Sequence, residues 1–256
     1  MPEFPRGQII VFGGGGFTME PENRLLDEYA LLATGLARPR VCFVPTAAGD
    51  AVGYIDRFYE AFPESVCEPT HLSLFSRKVD DLAAFLAGQD LVYVGGGNTV
   101  NLLAVWRAQG LDRVLPDVLA SGTVFCGVSA GALCWFERGI TDSYGPDLKP
   151  LMNGLGLLSG AFCPHYDSDW RRPDAWRDFV ARTGGPALAA EDGVGLHFVD
   201  GRVIRAVSSR PAALAYRFER EDGGEVSVET ITPTYLGTPS SRESPAGAAQ
   251  AREAGG

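Results

Sequence analysis

The chain has 256 residues, 45% of them hydrophobic and 21% charged, with a formal net charge of −10. This length and balance suit a globular protein of one large α/β domain or two small ones. The acidic excess argues against nucleic acid or an anionic membrane surface as the main partner. Met1-Pro2-Glu3-Phe4-Pro5-Arg6 carries no basic-then-apolar signal pattern, and no apolar run reaches the about 18 residues that a membrane span needs.

Apolar runs alternate with amphipathic segments through the first half. Gln8 to Phe12 reads as a buried strand that ends in a Gly13–Gly16 turn. Residues 23–36 have helical spacing, 40–45 form a second strand, 52–62 a second helix and 67–74 a third strand. A helical stripe covers 79–87. Residues 90–94 are a short strand running into Gly95-Gly96-Gly97-Asn98. Helices follow over 99–109, stopped by Gly110, and over 111–120. Residues 123–126 are the strand before the next glycine turn. Such alternation predicts a three-layer α/β sandwich around a mostly parallel sheet, with ligands at the carboxyl ends of the strands. The turns after Phe12, after Val94 and around Ser129 are therefore expected to share one edge. The last third alternates like antiparallel strands over 193–199, 202–208, 212–219 and 225–231, with Asp200-Gly201 as a tight hairpin signal. A single domain is expected over 1–236, with a disordered tail over 237–256.

The five cysteines, Cys42, Cys67, Cys126, Cys134 and Cys163, are odd in number and lack CxxC spacing. They read as buried free thiols in a reducing cytoplasm.

Gly127-Val128-Ser129-Ala130-Gly131 is the segment richest in chemical meaning. An apolar run, then Gly-x-Ser-x-Gly, then a helix-prone stretch is the nucleophile-elbow pattern. It lifts a serine oxygen to a helix N-terminus, where free N–H groups favour an oxyanion. A serine hydroxyl needs a base within hydrogen-bond reach. Of the three histidines, His165 follows a proline at the end of an apolar run, on a loop at a strand end, and is the candidate base. His71 and His197 sit inside strands and read as structural or solvated. The acid that would orient the imidazole is open among Glu137, Asp142, Asp167, Asp169, Glu191 and Asp192. Glu137 is favoured, at the end of the expected elbow helix, with Asp142 second, because both lie on the segment leaving the elbow. A glycine N–H of the Gly95–Asn98 turn, with that of Ala130, is expected to form the oxyanion hole.

The residues Val94-Gly95-Gly96-Gly97-Asn98-Thr99, Gly127 to Ala132 and Pro164-His165-Tyr166 together resemble the peptidase E family of serine peptidases, which holds aspartyl dipeptidases and cyanophycinase. The resemblance runs from about Gln8 to Ile231. It implies a flavodoxin-like fold of the class I glutamine amidotransferase type, with serine in place of cysteine at the elbow. It implies a Ser–His–acid triad containing Ser129 and His165, with Gly96 or Gly97 and Ala130 as oxyanion donors. It further implies cleavage of dipeptides with an N-terminal aspartate, without metal or cofactor, with an arginine after the histidine reading the aspartate side chain. Arg171 and Arg172 lie in that region and, with Asn98, are assigned to substrate binding. The family's Thr-Thr-Asn-Asp segment reads Ile140-Thr141-Asp142-Ser143 here, closer to a branch whose triad acid is a glutamate, for which Glu137 is the candidate. Trp170 beside the arginines also departs from the dipeptidases.

Rival readings fit less well. A dinucleotide fingerprint starting at Gly13 or Gly14 meets Thr18 or Met19 where glycine is required, and no phosphate loop is present. A glutamine amidotransferase would carry cysteine at 129. Cyanophycinase-like or isoaspartyl exopeptidase action, or a non-catalytic binding protein on the same fold, remain as alternatives. The expected partner is a small peptide substrate, with no nucleic acid and no membrane. The oligomeric state is open, a homodimer included.

Overall fold

A computed structural model describes residues 7–237, so all but the first residue of the expected tail lies outside the described residues. The first half alternates strand and helix as its apolar runs predict. β1 (Gln8–Phe12), α1 (Leu25–Ala33), β2 (Arg40–Val44), α2 (Val52–Ala61), β3 (Glu68–His71), α3 (Leu82–Ala87), β4 (Leu91–Val94), α4 (Thr99–Gln109), α5 (Leu111–Ala120) and β5 (Val124–Val128) follow in order. Asn98 caps α4 by accepting from Asn101 N at 2.8 Å, and Gly110, at φ 74°, closes it in the left-handed conformation that glycine adopts most readily.

β1, β5, β4, β2 and β3 pair in parallel in that order. Successive side chains on β1 face opposite ways. Ile10 and Phe12 pack with Leu26, Phe43 and Phe58 under α1 and α2. Ile9 and Val11 pack with Leu102, Trp106 and Leu115 under α4 and α5. Burial on both faces explains why these strands are apolar throughout.

The chain then runs through α6 (Ala130–Leu133), β6 (Phe136–Thr141), β7 (Lys149–Leu151), β8 (Leu158–Cys163), α7 (Arg172–Thr183), β9 (Ala187–Ala190), β10 (Val194–Val199), β11 (Arg202–Ser208), β12 (Ala215–Arg220), β13 (Val226–Ile231) and β14 (Thr234–Tyr235). β10 adds antiparallel to β1, and β11 to β10. Asp200 and Gly201, at φ 49° and 74°, make the expected tight hairpin. The other late strands build a second sheet, ordered β13-β12-β9-β8-β6-β7, with α7 against it.

That second sheet corrects one expectation. The elbow helix does not run to Glu137 but ends at Leu133, and Glu137 lies on β6. Ala130 to Phe136 is buried throughout, so it has no solvent face to mark a helix. Trp135 stacks on Phe125 with ring centroids 5.2 Å apart, and Phe136 on Phe162 at 4.9 Å, which draws the segment into pairing with β8. The five cysteines are free and buried. Among the described residues, no helix is long and apolar enough to cross a membrane.

One buried charge lies under the turn that follows β1. Asp27 has no exposed surface; it accepts from Phe17 N at 2.8 Å and from Arg24 Nε at 3.1 Å, and Tyr93 Oη donates to it at 3.2 Å. Burial raises its pKa to about 6, against the pull of Arg24 and these hydrogen bonds. Between the ordinary carboxylate value of 3.8 and about 6, the native state therefore keeps a proton that the unfolded chain has released. This group's contribution to stability falls as pH rises through that window. Asp27→Asn should gain on the wild type by about 2 kcal/mol between pH 4 and pH 7. Urea unfolding at the two pH values measures this, and a pH-independent difference would contradict it.

Candidate active site

β5 delivers Ser129 at φ 56° and ψ −114°, a region that a residue with a side chain enters only under constraint, at about 1–3 kcal/mol. The flanking glycines supply the constraint. A Cβ on Gly127 would lie 2.0 Å from Gly131 O, and one on Gly131 2.3 Å from Val94 O. Ser129 N donates to Phe12 O at 3.2 Å, which ties the elbow to the end of β1. Ala130, the first residue of α6, has an N–H without a backbone partner among the described residues.

The Gly95–Asn98 turn stands beside the elbow, with the Cβ position of Gly96 3.3 Å from Ser129 Cβ. The two candidate glycines differ. Gly96 N donates to Tyr54 Oη at 3.1 Å and is committed there. Gly97 lines the cleft with Ser129 and Ala130, at φ 141° and pressed so close to Ala47 O that a Cβ would lie 2.3 Å away. Of the two glycines, it is Gly97 that shares the cleft with Ala130. Asn98 is also committed. Besides capping α4, its Nδ2 donates to Ser143 O at 2.9 Å, so it anchors a loop instead of facing substrate.

His165 follows β8 and Pro164, and it too holds a positive φ, 55°. Its N–H donates to Gly13 O at 3.1 Å. Its Nδ1 is 2.6 Å from Asp192 Oδ1, the one hydrogen bond of this ring among the described residues. Nε2 is left for the cleft, which His165 lines together with Ser129. Asp192 Oδ2 accepts from Ser168 Oγ at 3.3 Å, and Asp192 N donates to Asp167 Oδ1 at 2.9 Å. Burial pushes the Asp192 carboxyl up. The His165 hydrogen bond and charge, with Arg210 nearby, outweigh it and hold the pKa below the ordinary carboxylate value.

The acid beside His165 is therefore Asp192, not Glu137 or Asp142. Glu137, carried onto β6, is exposed and accepts from Gly160 N at 3.0 Å. Asp142 lines the cleft but meets Arg172, at 3.8 Å. The other carboxylates have structural partners: Glu191 takes Leu214 N and Tyr216 Oη, and Asp169 takes Arg171. His71 bonds Tyr59 Oη at 2.7 Å. His197 is buried between Tyr29 Oη and Gln8 Oε1.

The Gly13–Gly16 run acquires a reason here. A Cβ on Gly14 would lie 2.0 Å from Asp192 Oδ1 and 2.9 Å from His165 Cε1. Gly14 O accepts from Gly193 N at 3.0 Å, and Gly13 N donates to Val194 O at 3.0 Å. The end of β1 is a bare backbone wall against which the His–Asp pair is held.

The two arginines separate sharply. Arg171, its side chain 44% exposed, is locked to Asp169 at 2.8 Å. Arg172, its side chain 9% exposed, lines the cleft of about 150 Å³, and its buried Nε has no hydrogen-bond partner among the described residues. A buried guanidinium with an unpartnered donor suits an anionic ligand group.

The model of peptidase family S51 matches residues 9–206. The uncharacterized peptidase YgaJ of Bacillus subtilis (strain 168) is 46% identical over 231 residues, 90% of this chain and 99% of that protein. Peptidase E of Streptomyces coelicolor (strain ATCC BAA-471 / A3(2) / M145) is 28% identical over 177 residues, 66% of this chain and 71% of the other. In fold, the chain is similar to a peptidase from an acI-B1 Actinobacterium, at TM-score 0.61 and 17% identity, covering 90% of this chain and 96% of that one.

The 2.6 Å contact should give a low-field Nδ1 proton resonance in the NMR spectrum. That signal should vanish in Asp192→Asn and in Gly14→Ala, and survive in Glu137→Gln. Its survival in Asp192→Asn would contradict the assignment.

Proposed function

The chain belongs to peptidase family S51, and from that premise we propose that it is a serine peptidase of small peptides, foremost dipeptides with an N-terminal aspartate. The observation that carries this reading is the His165–Asp192 hydrogen bond on the cleft where Ser129 is held at positive φ.

His165 Nε2 takes the proton of Ser129 Oγ as that oxygen attacks the scissile carbonyl carbon. Asp192 keeps the Nδ1–H tautomer and stabilises the imidazolium that forms. The N–H groups of Ala130 and Gly97 receive the oxyanion of the tetrahedral intermediate. His165 then returns the proton to the leaving amine, the C–N bond breaks, and the acyl group stays on Ser129. Water, deprotonated by the same imidazole, releases the acid and restores the serine.

Arg172 supports an acidic substrate residue. It is the cation on the cleft, and its guanidinium can bind a carboxylate through two parallel N–H groups. Isoaspartyl peptides and cyanophycin-like polymers present the same functional groups in other connectivities, so direct assay ranks them against aspartyl dipeptides.

Ser129→Ala should lower Asp-Leu hydrolysis by at least about 10³-fold, and Asp192→Asn by about 10³- to 10⁴-fold, with the fold intact. Glu137→Gln should stay within about 3-fold of the wild type, the ordinary range for an exposed side chain away from the chemistry. Arg172→Leu should raise KM for Asp-Leu by about 10- to 100-fold, and Arg171→Leu should not. Full turnover in Ser129→Ala, or equal effects of the two arginines, would contradict the reading.

A further inference from the structure

Of the two acids favoured from the sequence, Asp142 alone lines the cleft, and the triad leaves it without a role. It lines the cleft with Ser129 and Arg172, its side chain is 64% exposed, and its Oδ2 stands 3.8 Å from Arg172 Nη2, an ion pair too long for a hydrogen bond. Its neighbours are firmly held. Thr141 Oγ1 donates to Ser143 Oγ at 2.8 Å, Ser143 Oγ accepts from Thr99 N at 2.9 Å, and Ser143 O accepts from Asn98 Nδ2 at 2.9 Å. These bonds pin the residues on either side of Asp142 to the start of α4, next to Gly97. The cleft therefore presents three chemistries side by side: a nucleophile, a buried cation with an open donor, and an anchored anion.

We propose that Asp142 binds the free α-ammonium group of the substrate's N-terminal residue, and so makes this site an exopeptidase site for an acidic first residue. The inference rests on the proposed function above and deepens it. An N-terminal aspartate carries its ammonium, its carboxymethyl group and its scissile carbonyl on one carbon. Asp142, Arg172 and Ser129, all on the cleft, face those three groups respectively. The loose Arg172–Asp142 pair is exchanged on binding for two complementary pairs, substrate carboxylate on Arg172 and substrate ammonium on Asp142. Without the ammonium, a bound carboxylate would compete with Asp142 for the same guanidinium, and the Asp142 carboxylate would repel it.

The test uses the full-length chain and two ligands that differ only in the amine, Asp-Leu and N-succinyl-leucine. Calorimetry on Ser129→Ala measures binding without turnover. That variant should bind Asp-Leu about 10- to 100-fold more tightly than N-succinyl-leucine. Adding Asp142→Asn should bring the two ligands within about 3-fold, with the succinyl ligand bound as well as before or better, since Arg172 has lost its internal competitor. A preference that persists in Asp142→Asn would overturn the proposal. So would equal weakening of both ligands, which would place Asp142 in support of Arg172, or failure of Ser129→Ala to distinguish them. Hydrolysis of Asp-Leu by the unmodified chain, run alongside, separates the two levels. If it proceeds while the preference persists, only the ammonium assignment falls. If it is absent and neither ligand binds, the aspartyl-peptidase reading falls with it.

Discussion

The arrangement depends on a close approach that only a bare backbone permits. Asp192 Oδ1 stands where the Cβ of any larger residue at position 14 would be, 2.0 Å from that point. Because Gly14 leaves the space open, β10 can return antiparallel beside β1 and bring Asp192 alongside the end of the strand. His165 N closes on Gly13 O from the other side, and Ser129 N on Phe12 O. Three segments far apart in sequence thus converge on three consecutive residues, Phe12, Gly13 and Gly14, at one strand end.

The same convergence accounts for the strain. Ser129 and His165 both hold positive φ, and each is fixed by a backbone bond to the β1 terminus. Such conformations persist where the surroundings over-determine them, here the glycine contacts around Gly127 and Gly131 and the bonds to Phe12 and Gly13. A rigid scaffold is what acyl transfer asks for, since oxyanion donors act without reorganising during the reaction.

Much of this was legible in the sequence. Buried parallel strands and amphipathic helices leave distinct periodicities, so β1, α4 and α5 fall within the boundaries that their apolar patterns predict. The shared edge of the three glycine turns follows from the topology of parallel sheets. The second sheet was less legible. Ala130 to Phe136 is buried on every side, and a wholly buried run carries no period to tell strand from helix. That misreading set Glu137 on a helix, and its place on the segment leaving the elbow, with the resemblance to a glutamate-bearing branch, made it the favoured acid. Asp192 was one carboxylate among several because its pairing with His165 is made across a 27-residue gap by the return of β10. A signal did exist. Asp192-Gly193 sits immediately before an alternating strand, the position where a turn at a sheet edge presents a side chain to its neighbour. Between Arg171 and Arg172, adjacency in sequence offers no discrimination, whereas burial and the Asp169 lock decide it.

The central claim is that Ser129 Oγ becomes covalently acylated with His165 as its base. Its most direct test is intact-protein mass spectrometry with peptide mapping after exposure to a phosphonate analogue of an aspartyl peptide. The account predicts a single adduct on Ser129 in the wild type, formed far more slowly in His165→Ala. An unmodified Ser129 in a chain that still hydrolyses Asp-Leu, or an adduct on another residue, would contradict it.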